Sequence, residues 1–331
     1  MQTSDAIGAA ASQLGPNAQA LAVCLNKEAG LSHGKVAWVF ESVFGIALTR
    51  GGSARIMLRA AERTTPDYED IVVHVRKSRS VTPDETGWKV GGVLTWLWAF
   101  ATDAATAYAI RPSRGRDVAE EMLGSEYDGI LVRDGWAVYD GFEKAEHQLC
   151  VAHVVRRCRE MMETATGAAV RFPRDVKAVF QDALELRDRR DTESISNHGL
   201  AVARGRMENR LDRLLLWPRT NEANERLAVH LLNHRVSLFT FLRHPGIDAT
   251  NWRAEQAIRP AVVNRKVWGG NRTESGAEAQ AKLMSVLRTC AQRRRDGIEY
   301  LSCLLCSHPL HAPPILALDS RRFLPALPVP A

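Results

Sequence analysis

The sequence predicts an α/β chain with a large helical part: a mixed sheet interrupted by an α-helical insertion and preceded by a helical N-terminal segment. Three observations carry this prediction. Apolar residues recur at helical spacing up to about residue 78, after which the pattern becomes that of strands. Roughly a hundred residues after Cys150 then return to helical spacing. Between the two helical parts, Asp84 and Asp134 each stand at the end of a strand-like run, where open α/β sheets tend to bind ligands.

Taken in order, residues 1–16 are small and polar and read as a loose leader. Asn17–Glu28 reads as a helix with Leu21 and Leu25 on one face. A second helix has Ser32 as its N-cap, Val36, Val39, Phe40 and Val43 at helical spacing, and Gly45 as its C-terminal stop. A third, from about Gly52 to Arg63, turns Ile56, Met57 and Ala60 inward. Helix, Gly-containing turn and basic helix form a helix-turn-helix-like pattern, and Arg50, Arg55, Arg59 and Arg63 on it could meet DNA phosphates. A plain three-helix packing unit explains the same spacing.

An amphipathic helix over Asp67–Ser78 leads into the sheet. Arg79–Pro83, Gly92–Thr102 and Thr106–Ile110 read as strands, the second buried on both faces. Arg116–Leu123 reads as a helix and Gly129–Val132 as the fourth strand. This β-β-β-α-β order, with acids after its first and fourth strands, is that of a ribonuclease-H-like core.

In the insertion, Val176, Val179, Phe180, Ala183 and Leu184 mark one helix, and Met207, Leu211, Leu214 and Leu215 a second. Leu227, Leu231, Leu238 and Leu242 mark a third. Thr250 or Asn251 then caps a short helix carrying Glu255, which Pro260 stops. A long helix over Ser275–Arg295 follows. The resulting segments are 1–66 (helix-turn-helix-like), 67–150 (first part of the core), 151–249 (helical insertion), 250–300 (Glu255 helix and last core helix) and 301–331 (a tail rich in Pro, Leu and Ala, expected to be partly disordered).

Composition narrows the function classes. The chain has 331 residues and a formal net charge of +6, which fits a nucleic-acid partner. No run of eighteen apolar residues predicts a membrane span, and the N-terminus lacks signal-peptide features, so a cytoplasmic protein is expected. Six scattered cysteines are too sparse for a disulfide framework. Cys303 and Cys306 form a CxxC followed by His308, but their spacing equally describes one helix face, and no second CxxC completes a zinc site.

The stretch Asn251–Arg272 holds one carboxylate, Glu255, among Arg253, Arg259, Arg265, Lys266 and Arg272. Alone it could be a solvated helix face with Glu255 paired to Arg259. With Asp84 and Asp134 it becomes the third member of a carboxylate set. Three converging carboxylates can hold two Mg²⁺ ions roughly 4 Å apart, one activating the attacking oxygen and one steadying the leaving oxygen. Mn²⁺ can substitute.

The words around these acids are more specific than the acids. VTPDETGW, WLWAFAT, LVRDGWAVY, HQLCVAHVVRRC, NWRAEQAIRPAVVNRKVWGGNRT and SVLRTCAQRR resemble transposases of the insertion-sequence-66 family, as does the front end GAAASQLGPNAQALAVCLNKEAGLSHGKVAWVFESVFG. The resemblance runs from about Ala6 to Pro309. It implies a ribonuclease-H-like Asp-Asp-Glu polynucleotidyl transferase acting on the inverted-repeat ends of a bacterial mobile element. Asp84, Asp134 and Glu255 would bind the catalytic Mg²⁺ ions. It also implies DNA as partner, at both element ends and target, a homo-oligomer in a synaptic complex, element-encoded accessory proteins and a nucleoid-associated location. Cys150 and His153 match a CxxH pair that marks the start of the insertion, a candidate structural feature.

Two departures stand out. Family members usually read Asn-Asn where this chain has Asn251-Trp252, and His-Asp-Gly-Trp where Arg133 precedes Asp134. Trp252 could crowd a metal site or stack on a base; Arg133 could pair with Asp134 or contact phosphate. The chain also begins without the longer zinc-binding N-terminal region of many members. A catalytically silent DNA-binding remnant is therefore the alternative, and a nuclease acting on other structures a third reading. Arg259, Arg265, Lys266 and Arg272 are candidates for phosphate contacts, with Gly269-Gly270 letting backbone approach a ligand. Trp136 and Trp268 read as core or wall aromatics.

Overall fold

The computed structural model describes residues 14–306 and 314–317. Most of the expected leader, most of the tail, and His308 of the CxxC-x-His word lie outside these residues. The chain is an α/β protein with a five-stranded mixed sheet in the order β3-β2-β1-β4-β5. It divides into two compact units. One comprises residues 1–78, 83–125 and 253–331, the other residues 79–82 and 126–252. Strand β1 (Ser80–Val90) contributes its first residues to the second unit and the remainder to the first.

The first unit opens with helices α1 (Pro16–Lys27), α2 (His33–Phe44), α3 (Arg50–Arg63) and α4 (Thr65–Lys77). Each boundary has a local cause. The Ser32 hydroxyl accepts from Lys35 N at 3.3 Å, and Gly45 ends α2 in the left-handed region at φ 66°. Thr49 accepts from Gly52 N at 2.9 Å and starts α3 two residues before the sequence expectation. On α2, Val36 and Phe40 are buried, whereas Val43 is exposed despite its helical spacing.

Strand β1 is longer than the sequence suggests. It was expected to end before Asp84, yet it continues through DETGWKV to Val90. The reason is long-range: Trp88 is fully buried against helix α11 (Trp252–Trp268) and donates to the Asn271 side chain at 2.8 Å. Strand β2 (Val93–Ala101) is buried on both faces only from Leu97 onward; Val93 and Leu94 are exposed. It pairs antiparallel with β3 (Thr106–Arg111). As the terminal strand of the sheet order, β3 leaves backbone N–H groups without a strand partner. Helix α12 (Glu274–Gln292) satisfies two of them: Thr289 Oγ1 accepts from Thr106 N at 3.2 Å, and Ser285 Oγ from Tyr108 N at 2.8 Å.

Helix α11 was expected to stop at Pro260; instead Pro260 lies inside it. An interior proline removes a backbone hydrogen bond and costs about 3 kcal/mol in isolation. The stripe Ala254, Ala257, Ile258, Ala261 and Asn264 is buried on both sides of the proline, so tertiary packing holds the helix through it. Helix α5 (Arg116–Leu123) and helix α13 (Gly297–Leu305) complete the unit. The latter takes in Cys303, and its first turn is capped by Asp296, which accepts from Ile298 N and Glu299 N.

In the second unit, residues Ser80 and Val81 of β1 pair parallel with β4 (Ile130–Arg133), which pairs parallel with β5 (Glu146–Leu149). The latter strand, EHQL, has no apolar alternation. It forms because Gln148 is buried and bonded: its Oε1 accepts from Phe241 N at 2.8 Å. Helices α6 (Val151–Thr164), α7 (Arg171–Asp191), α8 (Asn197–Leu215), α9 (Glu222–Asn233) and α10 (Thr240–Arg243) follow. Their inward faces form one core with Ile130, Val132 and Leu149. The single helix expected over Leu227–Leu242 is two, broken by a 3₁₀ turn at Arg235–Ser237; Leu238 and Leu242 join the same core from beyond the break.

All six cysteines are free thiols. Cys24, Cys150, Cys158 and Cys290 are buried, whereas Cys303 is exposed and Cys306 partly so. Burial pushes the Cys24, Cys158 and Cys290 thiols up to about 12. Titration of the native protein with an aromatic disulfide reagent is therefore expected to label two thiols promptly and the remainder only on unfolding. Prompt labelling of four or more would contradict this packing.

Candidate functional site

The three candidate acids occupy distinct local settings. On β1, residues 84, 86 and 88 share one face by the strand's two-residue period. Trp88 on that face packs against α11, and Thr86 accepts a hydrogen bond from Arg265 of α11 at 3.3 Å. Asp84, half-buried, therefore stands on the face of β1 that α11 covers, and one of its oxygens accepts from Glu85 N at 2.9 Å.

Glu255 lies in the first turn of α11, exposed and flanking the buried stripe. Tyr108 fixes this end of the helix by donating to Ala257 O at 2.7 Å. Glu255 has no ion-pair partner among the described residues, so the pairing with Arg259 that the spacing allows is not made. Asp84 and Glu255 belong to the first unit and Asp134 to the second. Among the described residues no group of three or more His, Cys, Asp and Glu side chains is gathered closely enough to hold a metal ion.

Asp134 follows β4 directly and is exposed. Its Oδ1 accepts from Trp136 N at 3.0 Å, which turns the chain back on itself. Arg133 does not pair with Asp134 and is not available to phosphate: it is 3% exposed and braces the loop from beneath. Its Nε donates to His147 Nδ1 at 2.9 Å, its Nη1 to Trp136 O at 3.1 Å, and its Nη2 to Asp140 at 2.5 Å. His147 Nδ1 is thus an acceptor, leaving Nε2 to donate toward Phe142 O at 3.3 Å. Burial and the Arg133 charge hold His147 below its ordinary pKa. This clamp is not legible from the residues alone, because its partners are set by the turn and by β5.

Gly135 sits in this loop at φ 94°, a conformation that disfavours a side chain. A Cβ there would stand 2.9 Å from Leu149 Cδ1 and 3.3 Å from His230 Cε1. Gly135→Ala is expected to lower stability by about 2–4 kcal/mol, combining backbone strain with overpacking. An unchanged urea midpoint would contradict the loop geometry.

The candidate DNA-contacting residues divide by exposure. Arg259, Lys266, Arg272 and Arg55 are exposed. Arg265 is turned inward onto β1, donating to Gly87 O as well as to Thr86. Arg59 is half-buried, with its Nε buried and without a partner among the described residues. The close approach that Gly269-Gly270 was expected to grant a ligand is made by the protein's own strand. A Cβ on Gly270 would collide with the Lys89 carbonyl, which accepts from Asn271 N at 2.9 Å. Trp268 is a wall residue, packed edge-to-face on Trp88 with ring centres 5.6 Å apart. Trp136 meets Tyr139 the same way at 6.0 Å.

Trp252 is the first residue of α11 and 40% exposed; its indole donates to Asp248 at 3.0 Å. The Cys150 thiol is buried and donates to Asn251 Oδ1 at 3.1 Å, tying the start of α6 to the end of the insertion. His153 is half-buried, with Nδ1 unbonded.

A model of the transposase IS66 family matches residues 11–279. Two curated relatives from Sinorhizobium fredii (strain NBRC 101917 / NGR234) are similar to the chain. The uncharacterized protein y4qI is 26% identical over 275 residues, covering 71% of this chain and 48% of its own. The uncharacterized protein y4hP is 26% identical over 310 residues, covering 80% and 55%. The chain thus spans about half the length of these relatives.

Proposed function

Since the chain belongs to the transposase IS66 family, we propose that it cleaves DNA at the inverted-repeat ends of a mobile element and joins the freed ends to target DNA. The observation that carries this reading is the retention of Asp84, Asp134 and Glu255, each in a family word and each next to a fixed structural element. Further support for a ribonuclease-H-like core comes from the sheet order, in which β1 is central and Asp134 directly follows its parallel neighbour β4.

The donor chemistry fits Mg²⁺, which favours hard oxygen ligands. Asp84, Asp134 and Glu255 would hold it, and bound divalent ions would supply Lewis-acid activation of the attacking oxygen and stabilisation of the leaving one. The protein's own part is positional. The Trp136 N–H occupies one oxygen of Asp134 and fixes the carboxylate's rotation. Tyr108 fixes the turn of α11 that presents Glu255. Exposed Arg259, Lys266 and Arg272 would attract the DNA backbone, with element ends, target DNA, a second copy of the chain and accessory proteins as partners.

The test is an in-cell excision and integration assay with the element's ends and neighbouring genes supplied. The natural chain is expected to mobilise the element and Glu255→Gln to leave it in place. Equal mobilisation by both would sink the reading. Among the described residues no helix is long and apolar enough to cross a membrane.

A further inference from the structure

Beside the Asp134 loop stand two imidazoles that make no hydrogen bond among the described residues. His230 and His234 lie one turn apart, at the end of α9 and just beyond it, with ring centres 4.8 Å apart. Both are half-buried, and neither ring makes a hydrogen bond among the described residues. Both border Gly135: a Cβ there would lie 3.3 Å from His230 Cε1 and 3.7 Å from His234 Nε2. Arg157 of α6 is near enough to act on His230 electrostatically, is half-buried, and has no ion-pair partner among the described residues. Val154 and Cys158 of α6 belong to the same hydrophobic core as Leu227 and Leu231 of α9.

The charge around the pair decides what it can bind. Burial, His234, Arg157 and Arg133 push the His230 pKa down to about 4. Burial and Arg133 lower that of His234, and only Asp140 opposes. Asp140 is itself engaged by Arg133. Neutral imidazoles with cationic neighbours offer N–H donors in a positive field, which suits an anion and repels a metal cation. Two imidazoles without a third ligand are also too few for a closed metal site.

We propose that His230, His234 and Arg157 form a phosphate-binding subsite beside the Asp134 loop, occupied in action by a phosphodiester of the DNA backbone. Arg157 supplies the charge and the two rings supply neutral donors. The backbone as the source of the phosphate rests on the transposase reading; the phosphate chemistry does not.

The experiment has two arms. In the first, binding of a short labelled duplex is measured by fluorescence anisotropy across a salt series. Arg157→Gln is expected to reduce the slope of log affinity against log salt by about one, and Arg157→Lys to restore it. The His230→Gln, His234→Gln double variant is expected to weaken binding about threefold to tenfold with the slope unchanged, since neutral donors release no counterion. In the second arm, inorganic phosphate is titrated into the natural chain while imidazole resonances are followed. The signals of His230 and His234 are expected to move together, and much less in Arg157→Gln. A phosphate response without duplex binding would uphold the subsite and sink only the transposase reading. The subsite falls if phosphate leaves both rings unmoved. It falls equally if the duplex binds and all three variants, each with the natural thermal midpoint, keep its affinity and slope. Stoichiometric Zn²⁺ binding lost in the histidine double variant would overturn it in favour of a metal site.

Discussion

Asp134→Asn is expected to reduce strand cleavage and joining by roughly a hundredfold to a thousandfold while leaving the fold intact. The substitution keeps the shape of the side chain and an oxygen able to accept from Trp136 N, so the loop after β4 retains its hydrogen bond. It removes the charge. A carboxylate that would hold a divalent cation contributes through that charge, and removal of one electrostatic stabiliser of a transition state commonly costs roughly two to three orders of magnitude. Groups that act as a unit are also strongly non-additive. Combining Asp134→Asn with Glu255→Gln is therefore expected to cost little more than either alone. The check is cleavage of element-end DNA with Mg²⁺, alongside thermal midpoints that should match the natural chain. If Asp134→Asn retains cleavage, or if the two losses multiply as independent defects would, the carboxylates do not form one catalytic set.

Much of the fold was legible because the controlling interactions are local. Ser32, Gly45 and the helical spacing of Val36 and Phe40 bound α2 within its own sequence. The strands β2 and β3 announce themselves by apolar runs. Elements were missed or misjudged where distant partners decide. Strand β5 depends on Gln148 reaching Phe241, and the second half of β1 on Trp88 meeting α11 and Asn271. Pro260 looked like a stop because propensity is local, whereas the buried stripe on either side of it is tertiary. The candidate site divides the same way. The acids stand out in sequence because distinctive words surround them. The Arg133 clamp does not, since its partners His147 and Asp140 are chosen by the turn geometry. His230 and His234 were equally silent, because what gives them meaning is their position over Gly135.

The second large effect concerns stability and pH. Lys27, on α1, is fully buried with its ammonium on the Gln280 side-chain oxygen and no ion-pair partner among the described residues. Burial lowers its pKa from 10.5 to about 7. Between those values the unfolded chain holds a proton that the folded chain has released. Stability therefore rises with pH across that window, by at most about 1.4 kcal/mol per pH unit from this one group. Below pH 7 both states carry the proton and the buried charge is borne in full. Other groups restrict where the effect can be read. Histidines with lowered pKa, such as His230, raise stability with pH only below their ordinary value of 6.5. The buried thiols Cys24, Cys158 and Cys290 act oppositely above their ordinary value of 9.0, because the folded state keeps protons that the unfolded state loses. The clean interval is pH 7 to 9. Urea unfolding there is expected to show a rising midpoint for the natural chain and a nearly flat one for Lys27→Met. At pH 7 the variant gains by removing a buried charge and loses by stranding the Gln280 oxygen, a loss of about 1–3 kcal/mol. Adding Gln280→Leu removes that second cost, so the double variant should be the most stable of the three at pH 7. A Lys27→Met protein that keeps the natural slope would show that Lys27 is not the group that titrates.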